Sequence, residues 1–505
     1  MNSSITSHLR IAHLNGDLAQ RIESLNNDYS AVTTSRQRLE QRMTQGDAVY
    51  GVNTGFGILA NQRIAEDELE QLQKNLLLSH ACGVGAPVPY EITRLMLRLK
   101  LHALGQGFSG ISERTFLQLL KLIQHDITPY VPSRGSVGAS GDLAPLAHLS
   151  LPLMGLGKVW NREHSGAEDA SVALQRAGIE PIQLGAKDGL ALINGTQLMS
   201  SYGSYVMQRA LTIMKSADIL AAMSLEALQG SSMPFEAEVH SIRPHPGQID
   251  VAANIRHLLK DSEILQSHRD CGKVQDPYCL RCVPQVHGAS RTALRHVMSV
   301  IETEINSVTD NPLVLSDGRV ISGGHFHGQP LALTLDYAGI ALAEYASIAE
   351  RRAYLLLEGH DGLPKLLMQD TGINSGFMIP QYTAAALVSE NKVLAHPASV
   401  DSIPTSLGQE DHVSMGSIGA VKLLQILENT EHVLAVEMLS AAQALEFRKP
   451  LRPGRGVEIA HQFIRQHVTY AEQDYLVGDD MSRCTELIRN GTLVAAVEDA
   501  IGALQ

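Results

Sequence analysis

Cysteine and net positive charge are both scarce in this chain, and each scarcity excludes a class of protein. Its 505 residues include 5 cysteines and 1 tryptophan. So few cysteines in so long a chain cannot build the disulfide framework of a secreted domain, and a reducing cytoplasm is the expected compartment. The net charge is −13, with 53 acidic residues against 40 basic ones. Nucleic acid is not an expected partner, because binding to a phosphate backbone depends on clustered lysine and arginine.

Long uninterrupted apolar runs are also lacking. A membrane-spanning helix needs about 20 predominantly apolar residues. The most apolar stretch, residues 331–357, is interrupted by charged side chains at Asp336, Glu344, Glu350, Arg351 and Arg352. No membrane partner is therefore expected. The first residues do not combine a basic start with an apolar core, so no secretory signal is expected.

Helical periodicity is the dominant pattern in the chain. In residues 91–104, for example, Ile92, Leu95, Met96 and Leu99 recur at a spacing that places them on one helix face. The stretches 329–357 and 417–447 are apolar over more than one face, which indicates burial among other helices. The same periodicity predicts further helices over 66–79, 113–125, 202–228, 289–308 and 381–394.

The remaining patterns complete a mostly α fold. Residues 158–190 are predicted to hold a small β-containing excursion, with turn residues at 161–166 and a short run at 181–184. The long helices predict an elongated multi-helix bundle, shared between subunits, with a small β-containing N-terminal portion. Three regions are expected to form one cooperative unit: an N-terminal region 1–200, a central bundle of long helices 201–447, and a C-terminal helical region 448–505.

The run Gly135-Ser-Val-Gly-Ala-Ser-Gly-Asp142 is the least typical stretch of the chain. Glycine lacks a Cβ, so the backbone at Gly138 and Gly141 can adopt positive φ at little cost. The run is compatible with a tight turn, or with a close backbone approach in which an amide nitrogen attacks a nearby carbonyl. A third interpretation is a serine hydrolase with Ser140 as nucleophile. It is weakened because the Gly-x-Ser-x-Gly elbow lacks its last glycine and two prolines disfavour a preceding central strand.

Possible metal ligands occur in two places. Cys279-Leu-Arg-Cys282 is a single CxxC pair with Cys271 and His287 near it in sequence. A structural zinc site would need a second pair or spaced histidines, so two ordinary thiols are the preferred interpretation. The glycine-flanked run His325-Phe-His327 fits the lining of a pocket as well as a metal site. No metal is predicted.

Residues 138–148, Gly-Ala-Ser-Gly-Asp-Leu-Ala-Pro-Leu-Ala-His, closely resemble the signature of the aromatic amino acid ammonia-lyases. The resemblance implies a fold of the ammonia-lyase and fumarase type and a homotetramer whose active sites are completed by more than one subunit. It also implies a prosthetic group, 4-methylideneimidazol-5-one (MIO), which forms autocatalytically from Ala139, Ser140 and Gly141. The resemblance extends through nearly the whole chain. Four further motifs contribute to it: Tyr50-Gly-Val-Asn-Thr-Gly-Phe-Gly57, Gly189-Leu-Ala-Leu-Ile-Asn-Gly-Thr196, Val274-Gln-Asp-Pro-Tyr278 with Leu280-Arg281, and Thr309-Asp-Asn-Pro312.

The same resemblance implies a substrate and a set of site residues. Histidine-specific members carry a Ser-His pair and a glutamate where phenylalanine- or tyrosine-specific members carry apolar residues and glutamine; this chain has Ser79-His80 and Glu410. The implied reaction is the elimination of ammonia from L-histidine to give trans-urocanate, the first step of histidine degradation. Arg281 is implied to bind the substrate carboxylate. Catalytic roles are implied for Tyr50 as base, the triad, Tyr278 and Glu410, and binding roles for His80, Asn194, Gln275, Arg281 and Phe326.

Several alternatives remain open. Within the family, the chain could be a tyrosine or phenylalanine ammonia-lyase or an aminomutase. From other classes, a serine hydrolase and a non-catalytic helical scaffold remain, although a scaffold would be expected to lose Ser140, Tyr50 or Arg281, and all three are present. The chain also departs from the family pattern at His325, where relatives commonly carry asparagine, and at Val283 and His287.

Overall fold

A computed structural model of the chain describes residues 8–45, 49–55, 62–269 and 272–505. These residues are mostly helical, as predicted. The helices are α1 Leu14–Asn27, α2 Ser30–Thr44, α3 Leu69–His80, α4 Tyr90–Leu104, α5 Glu113–Gln124, α6 Leu143–Ser150, α7 Ala170–Ala177, α8 Asp188–Ile193, α9 Gln197–Ala227, α10 Ala237–Ser241, α11 Pro246–Leu258, α12 Glu263–Ser267, α13 Tyr278–Arg281, α14 Val283–Ile305, α15 Gln329–Leu357, α16 Met378–Leu394, α17 Gly416–Glu446, α18 Arg455–His467, α19 Gly478–Arg489 and α20 Thr492–Ile501.

The described strands form short antiparallel pairs. They are β1 Val84–Pro87 with β2 Pro132–Arg134, β3 Lys158–Trp160 with β4 Ala167–Asp169, and β5 Leu313–Val314 with β6 Val320–Ile321. The pair β3–β4 confirms the β-containing excursion and its turn at 161–166. The short run 181–184 is not a strand, so that part of the prediction was wrong: Pro181 has no N–H to donate, and Ile182 N donates instead to Leu153 O at 2.9 Å.

The predicted helices are all confirmed, and most ends differ by a few residues. The helices α9 and α14 begin earlier than predicted. In α14 the extension includes Pro284 in the first turn. Proline is tolerated there because the first amide nitrogens of a helix have no intrahelical partner.

The described residues form two compact units, each assembled from stretches that are distant in sequence. The first consists of the described residues up to Tyr205 together with Met298–Asp336 and Pro397–Val421, and the second of those in Val206–Val297, Tyr337–His396 and Lys422–Gln505. The three contiguous regions inferred from the sequence, and their behaviour as one cooperative unit, remain predictions.

Three helices of the first unit position the triad. The helices α3, α6 and α8 pack on one another, and their leucines Leu77, Leu146 and Leu192 are fully buried. Helix α6 begins at Leu143, two positions after Gly141, and α8 ends directly before Asn194. The hydrophobic contacts among these helices therefore fix the backbone that follows the triad and the backbone at Asn194.

Buried ion pairs link the helices of the second unit. Arg352 of α15 contacts Glu437 of α17 at 2.5 Å. Asp218 of α9 forms an ion pair with Arg291 of α14 at 2.7 Å and a hydrogen bond with His287 of the same helix at 2.8 Å. Burial lowers the pKa of His287. Charges this deeply buried persist only when they are paired, so the partners on the two helices of each pair depend on one another.

Among the described helices, α15 is long and apolar enough by composition to cross a membrane. Its most apolar window has a mean hydropathy of 1.2, and 67% of that window is buried by the protein itself. Burial of this kind is typical of a core helix.

Candidate active site

The triad lies where backbone packs directly against backbone. Gly141 has a φ of 76° and forms a parallel bridge with Gly195. A Cβ on Gly141 would lie 2.1 Å from Gly195 O, and a Cβ on Gly138 would lie 2.2 Å from Ser414 Oγ. No side chain fits at Gly141, where the obstacle is backbone. At Gly138 a side chain would have to displace the Ser414 hydroxyl, so the small residues are favoured by space as well as by the turn.

Asp142 anchors the end of the triad. Its buried carboxylate accepts hydrogen bonds from Leu198 N at 2.9 Å, Met199 N at 3.2 Å and Ser417 Oγ at 3.0 Å. The two amides belong to the first turn of α9, where unpaired N–H groups and the helix dipole favour an anion. Burial nevertheless raises the pKa of Asp142 to about 7.

Ser140 contacts a carboxylate. Its Oγ donates to Glu410 Oε1 at 3.1 Å, and Thr405 Oγ1 donates to Glu410 Oε2 at 2.7 Å. Thr405 and Glu410 also pair through their backbones, with Thr405 N donating to Glu410 O at 2.9 Å. Ser140 therefore has a carboxylate partner in the described site, not the imidazole that a serine hydrolase needs.

Two cavities of the first unit meet at the triad. The larger, of ≈ 630 Å³, and the smaller, of ≈ 400 Å³, share Tyr50, Ser140, Asn194 and Glu410 as lining residues. Ala139 and Phe326 also line the larger cavity, and Ser79 and His80 line the smaller one. The structure thus brings together every sequence-predicted site residue of the first unit. Of the Tyr50 motif, Phe56 and Gly57 lie outside the described residues.

His80 presents an imidazole to the smaller cavity. Ser79 Oγ donates to Leu76 O at 3.2 Å and lies 3.0 Å from His80 Nδ1. Burial lowers the pKa of His80, while a hydrogen bond with Leu76 and the charge of Glu410 oppose the shift. A neutral imidazole has one donor and one acceptor nitrogen, so the ring can pair with a polar substrate in either tautomer.

Asn194 is held on two sides. Its Nδ2 donates to Asn311 O at 2.8 Å and to Asp310 Oδ1 at 3.4 Å. Its backbone oxygen accepts from Lys100 Nζ at 2.5 Å. Asp310 in turn contacts Lys187 Nζ at 2.8 Å. These contacts leave the side-chain oxygen of Asn194 to interact in the cavity.

Gln275, Tyr278 and Arg281 belong to the second unit. Arg281 Nε donates to Asp276 O at 2.8 Å, and its guanidinium lies 4.7 Å from the centre of the Tyr278 ring. Gln275 lines a cavity of ≈ 690 Å³ together with Asp276. The roles of these three residues at the triad remain predictions.

The possible metal ligands do not form a site in the described part of the chain. There, no group of three or more His, Cys, Asp or Glu side chains could hold a metal ion. Cys279 and Cys282 are free thiols, and His287 is paired with Asp218. Cys271 lies outside the described residues. His327 lines the larger cavity, whereas His325 is exposed.

Two residues with direct contacts at the site carry no motif of their own. Thr405 precedes the Gln-Glu-Asp-His motif, and its hydroxyl fixes Glu410. Lys100 lies in an amphipathic helix, where a lysine is normally solvent-exposed. Only the buried helical pattern around Lys100 could have drawn attention to it.

Comparison with known proteins agrees with this arrangement. The family model described as aromatic amino acid lyase matches residues 6–466. A histidine ammonia-lyase from Gloeobacter violaceus is 51% identical over 478 residues, covering 94% of this chain and 92% of the relative. The crystal structure of histidine ammonia-lyase from Trypanosoma cruzi has a TM-score of 0.87 at 41% identity, covering 94% of this chain and 89% of that one. Tyrosine aminomutase from Streptomyces globisporus has a TM-score of 0.91 at 34% identity, covering 99% of both chains. The chain therefore belongs to the aromatic amino acid lyase family.

Proposed function

We propose that this chain is a histidine ammonia-lyase, which eliminates ammonia from L-histidine to give trans-urocanate. The observation that carries the proposal is the 3.1 Å contact between Ser140 of the triad and Glu410, in cavities that also expose His80. A carboxylate and a neutral imidazole can pair with the nitrogens of a substrate imidazole, whereas a phenyl ring offers them no partner. Such a site rejects a ring that would leave its polar groups unpaired.

The triad fits the prosthetic group MIO, which we propose forms from Ala139, Ser140 and Gly141. Gly195 closes on Gly141 so tightly that only glycine fits, as a cyclising backbone requires. When formed, the group supplies a strong electrophile, which ordinary side chains lack. Phe326 and Asn194 would hold it, since both line the cavity at Ser140. The free oxygen of Asn194 is suited to accept from the substrate ammonium.

Tyr50 is the proposed base. It lines both cavities beside Ser140 and Glu410. Its side-chain oxygen would take the β-proton, the electrons of that C–H bond would form the Cα–Cβ double bond, and the Cα–N bond would break so that nitrogen leaves as ammonia. His80 and Glu410 orient the ring so that the β-carbon faces the base.

Arg281 is the proposed partner of the substrate carboxylate, because its planar guanidinium can bind a carboxylate through two hydrogen bonds. Gln275 and Tyr278 would orient the amino group. We further propose a cytoplasmic homotetramer in which more than one subunit completes each site. The exposure of apolar residues beside Arg281 supports this proposal: in the single chain, Tyr278 is 71% exposed and Val274 is 94% exposed.

The second candidate is a tyrosine aminomutase, favoured by the fold similarity to the Streptomyces globisporus enzyme. Incubating the purified protein separately with L-histidine, L-tyrosine and L-phenylalanine distinguishes the candidates. We expect ammonia and the ultraviolet absorbance of urocanate from L-histidine. Preferred turnover of tyrosine or phenylalanine, or formation of a β-amino acid, would contradict the proposal. Ser140→Ala is the control: it should remain folded and inactive, and its substantial activity would exclude the role of MIO.

A further inference from the structure

Lys100 is a buried lysine behind the triad. It lies in α4, its side chain is 2% exposed, and its ammonium donates to Asn194 O at 2.5 Å. Burial, with a smaller contribution from the charge of Lys187, lowers the pKa of Lys100 to about 7, while the carboxylates of Asp310 and Asp142 oppose the shift. Burying an ammonium is costly. The contact of Lys100 with Asn194 O is therefore expected to have a role that offsets this cost.

Lys100 contacts the Asn194–Gly195 turn, which packs against the triad. Asn194 follows the last residue of α8, and its N donates to Leu190 O at 3.1 Å, so its carbonyl lies at the negative end of the helix dipole. The next residue, Gly195, has a φ of 122° and accepts a 2.8 Å hydrogen bond from Asp142 N. The turn is thus held by Lys100 at the Asn194 carbonyl and contacts the triad through the next residue, Gly195.

Lys187 makes a useful contrast with Lys100. It is also fully buried, but it contacts Asp310 at 2.8 Å, which lies against the side chain of Asn194 and not against its backbone. Of the two lysines buried in the described part of the chain, only Lys100 donates to the carbonyl of the turn itself, whereas Lys187 donates to Asp310 and to Asn311 O. A change in Lys100 should therefore act on the position of Gly195, whereas a change in Lys187 should act on the loop that contains Asp310.

We propose that Lys100 is a positioning residue for the cyclisation of Ala139, Ser140 and Gly141. It holds the Asn194–Gly195 turn against Gly141, which keeps the Gly141 nitrogen near the Ala139 carbonyl carbon. In the cyclisation, that nitrogen bonds to that carbon. The former carbonyl oxygen leaves as water with the proton of Ser140 N and that of Gly141 N, and Ser140 Oγ leaves as a second water with the Cα proton. The proposal rests on the proposed function, because it assumes that the triad cyclises.

The test is the mass of the peptide that contains residues 135–148. In the wild-type protein the peptide should be lighter than its sequence predicts by the mass of two waters. In Ser140→Ala the peptide should have the mass that its sequence predicts. In Lys100→Met, which has a similar length but no charge, we expect folded chains to lose the waters at least tenfold more slowly. In Lys100→Arg, which retains a cation, we expect faster loss than in Lys100→Met. In Lys187→Met, which leaves the buried Asp310 without its cationic partner, we expect lower thermal stability but a dehydrated peptide in the folded chains.

The outcomes separate the two proposals. A wild-type peptide that keeps both waters overturns the proposed function, whatever Lys100 does. A wild-type peptide that loses them, with Lys100→Met losing them equally fast, overturns the role of Lys100. Equal defects in Lys100→Met and Lys187→Met also overturn it, because any buried lysine would then suffice. If Lys100→Met does not fold, Lys100→Gln is used in its place, since it keeps an N–H donor without the charge, and the same comparison with Lys100→Arg applies.

Discussion

Thr405 holds one oxygen of Glu410 while Ser140 of the triad occupies the other. The two distances are 2.7 Å from Thr405 Oγ1 to Oε2 and 3.1 Å from Ser140 Oγ to Oε1. The loop that closes between Thr405 and Glu410 places Ser406 at a φ of 51° and Leu407 at 53°. Non-glycine residues adopt such angles at a cost, which the surrounding contacts must offset. The loop therefore presents Glu410 in one fixed orientation.

Loss of the Thr405 hydroxyl should reduce activity without removing any group that touches the substrate. Thr405→Val keeps the shape of the side chain but cannot donate to Glu410. A hydrogen bond to a charged group contributes about 1.5–3 kcal/mol, so we expect kcat/KM for L-histidine to fall roughly 10-fold to 100-fold. Thr405→Ser keeps the hydroxyl donor and should therefore retain most of the wild-type kcat/KM. Equal losses of kcat/KM in Thr405→Val and Thr405→Ser, measured by steady-state kinetics, would contradict this role.

Glu410→Gln should separate ring recognition from formation of the prosthetic group. Glutamine has the size of glutamate and can still accept from Ser140, but it lacks the charge. We expect turnover of L-histidine to fall on the order of 100-fold, as for the loss of a group acting in proton transfer or charge stabilisation. The peptide of residues 135–148 should still be dehydrated. Asp411→Asn, a neighbouring carboxylate that lines the same cavity, is the control, and an equal loss there would show that the effect is not specific to Glu410.

The sequence motifs predict which residues of the first unit meet, but not what holds them in place. Tyr50, Asn194 and Glu410 were found because their motifs resemble those of a family, and they do line common cavities. Lys100 and Asn194 are separated by 94 positions, and nothing in local periodicity identifies a contact across such a distance. A threonine in a polar loop is likewise unremarkable until the chain closes on Glu410.

The helices show the same division between local and distant information. The bounds of α15 were predicted from its own apolar pattern. The start of α9 was not, because its first turn is stabilised by Asp142, which lies far earlier in the chain. The run 181–184 shows the reverse error, where a locally apolar segment has no neighbouring strand with which to pair.

Gly141→Ala should prevent maturation of the triad. The added Cβ would meet Gly195 O at 2.1 Å, and the φ of 76° is itself unfavourable for alanine. We expect no dehydrated peptide and no activity. Gly178→Ala is the matched control, since Gly178 has a φ of 66° but no atom within 4 Å of the added Cβ. It should cost only about 1–2 kcal/mol of unfolding free energy and keep the dehydrated peptide, as mass and thermal unfolding would show. A dehydrated peptide in Gly141→Ala would contradict the steric role of Gly195.

His102 should make the protein less stable in acid. Its side chain is 6% exposed, and neither ring nitrogen has a hydrogen-bond partner among the described residues. Burial, with a smaller contribution from the charge of Arg21, lowers the pKa of His102 from 6.5 to about 4. Between these two values the unfolded chain binds a proton that the folded chain does not, so stability falls as the pH drops from 6.5 to 4 and this contribution is fully present above 6.5. At about 1.36 kcal/mol per pKa unit the loss totals roughly 3 kcal/mol.

His102→Leu removes this proton uptake and keeps the site apolar. We compare the melting temperature of the variant with that of the wild type at each pH. The difference between the two proteins should favour the variant more at pH 5 than at pH 8. This change corresponds to roughly 2 kcal/mol of unfolding free energy. Thermal unfolding followed by circular dichroism at the two pH values measures it. His125→Leu, at an exposed position, is the control. Its melting temperature should differ from that of the wild type by the same amount at pH 5 and at pH 8. A constant offset for His102→Leu would mean that the buried imidazole is protonated as readily in the folded chain as in the unfolded one.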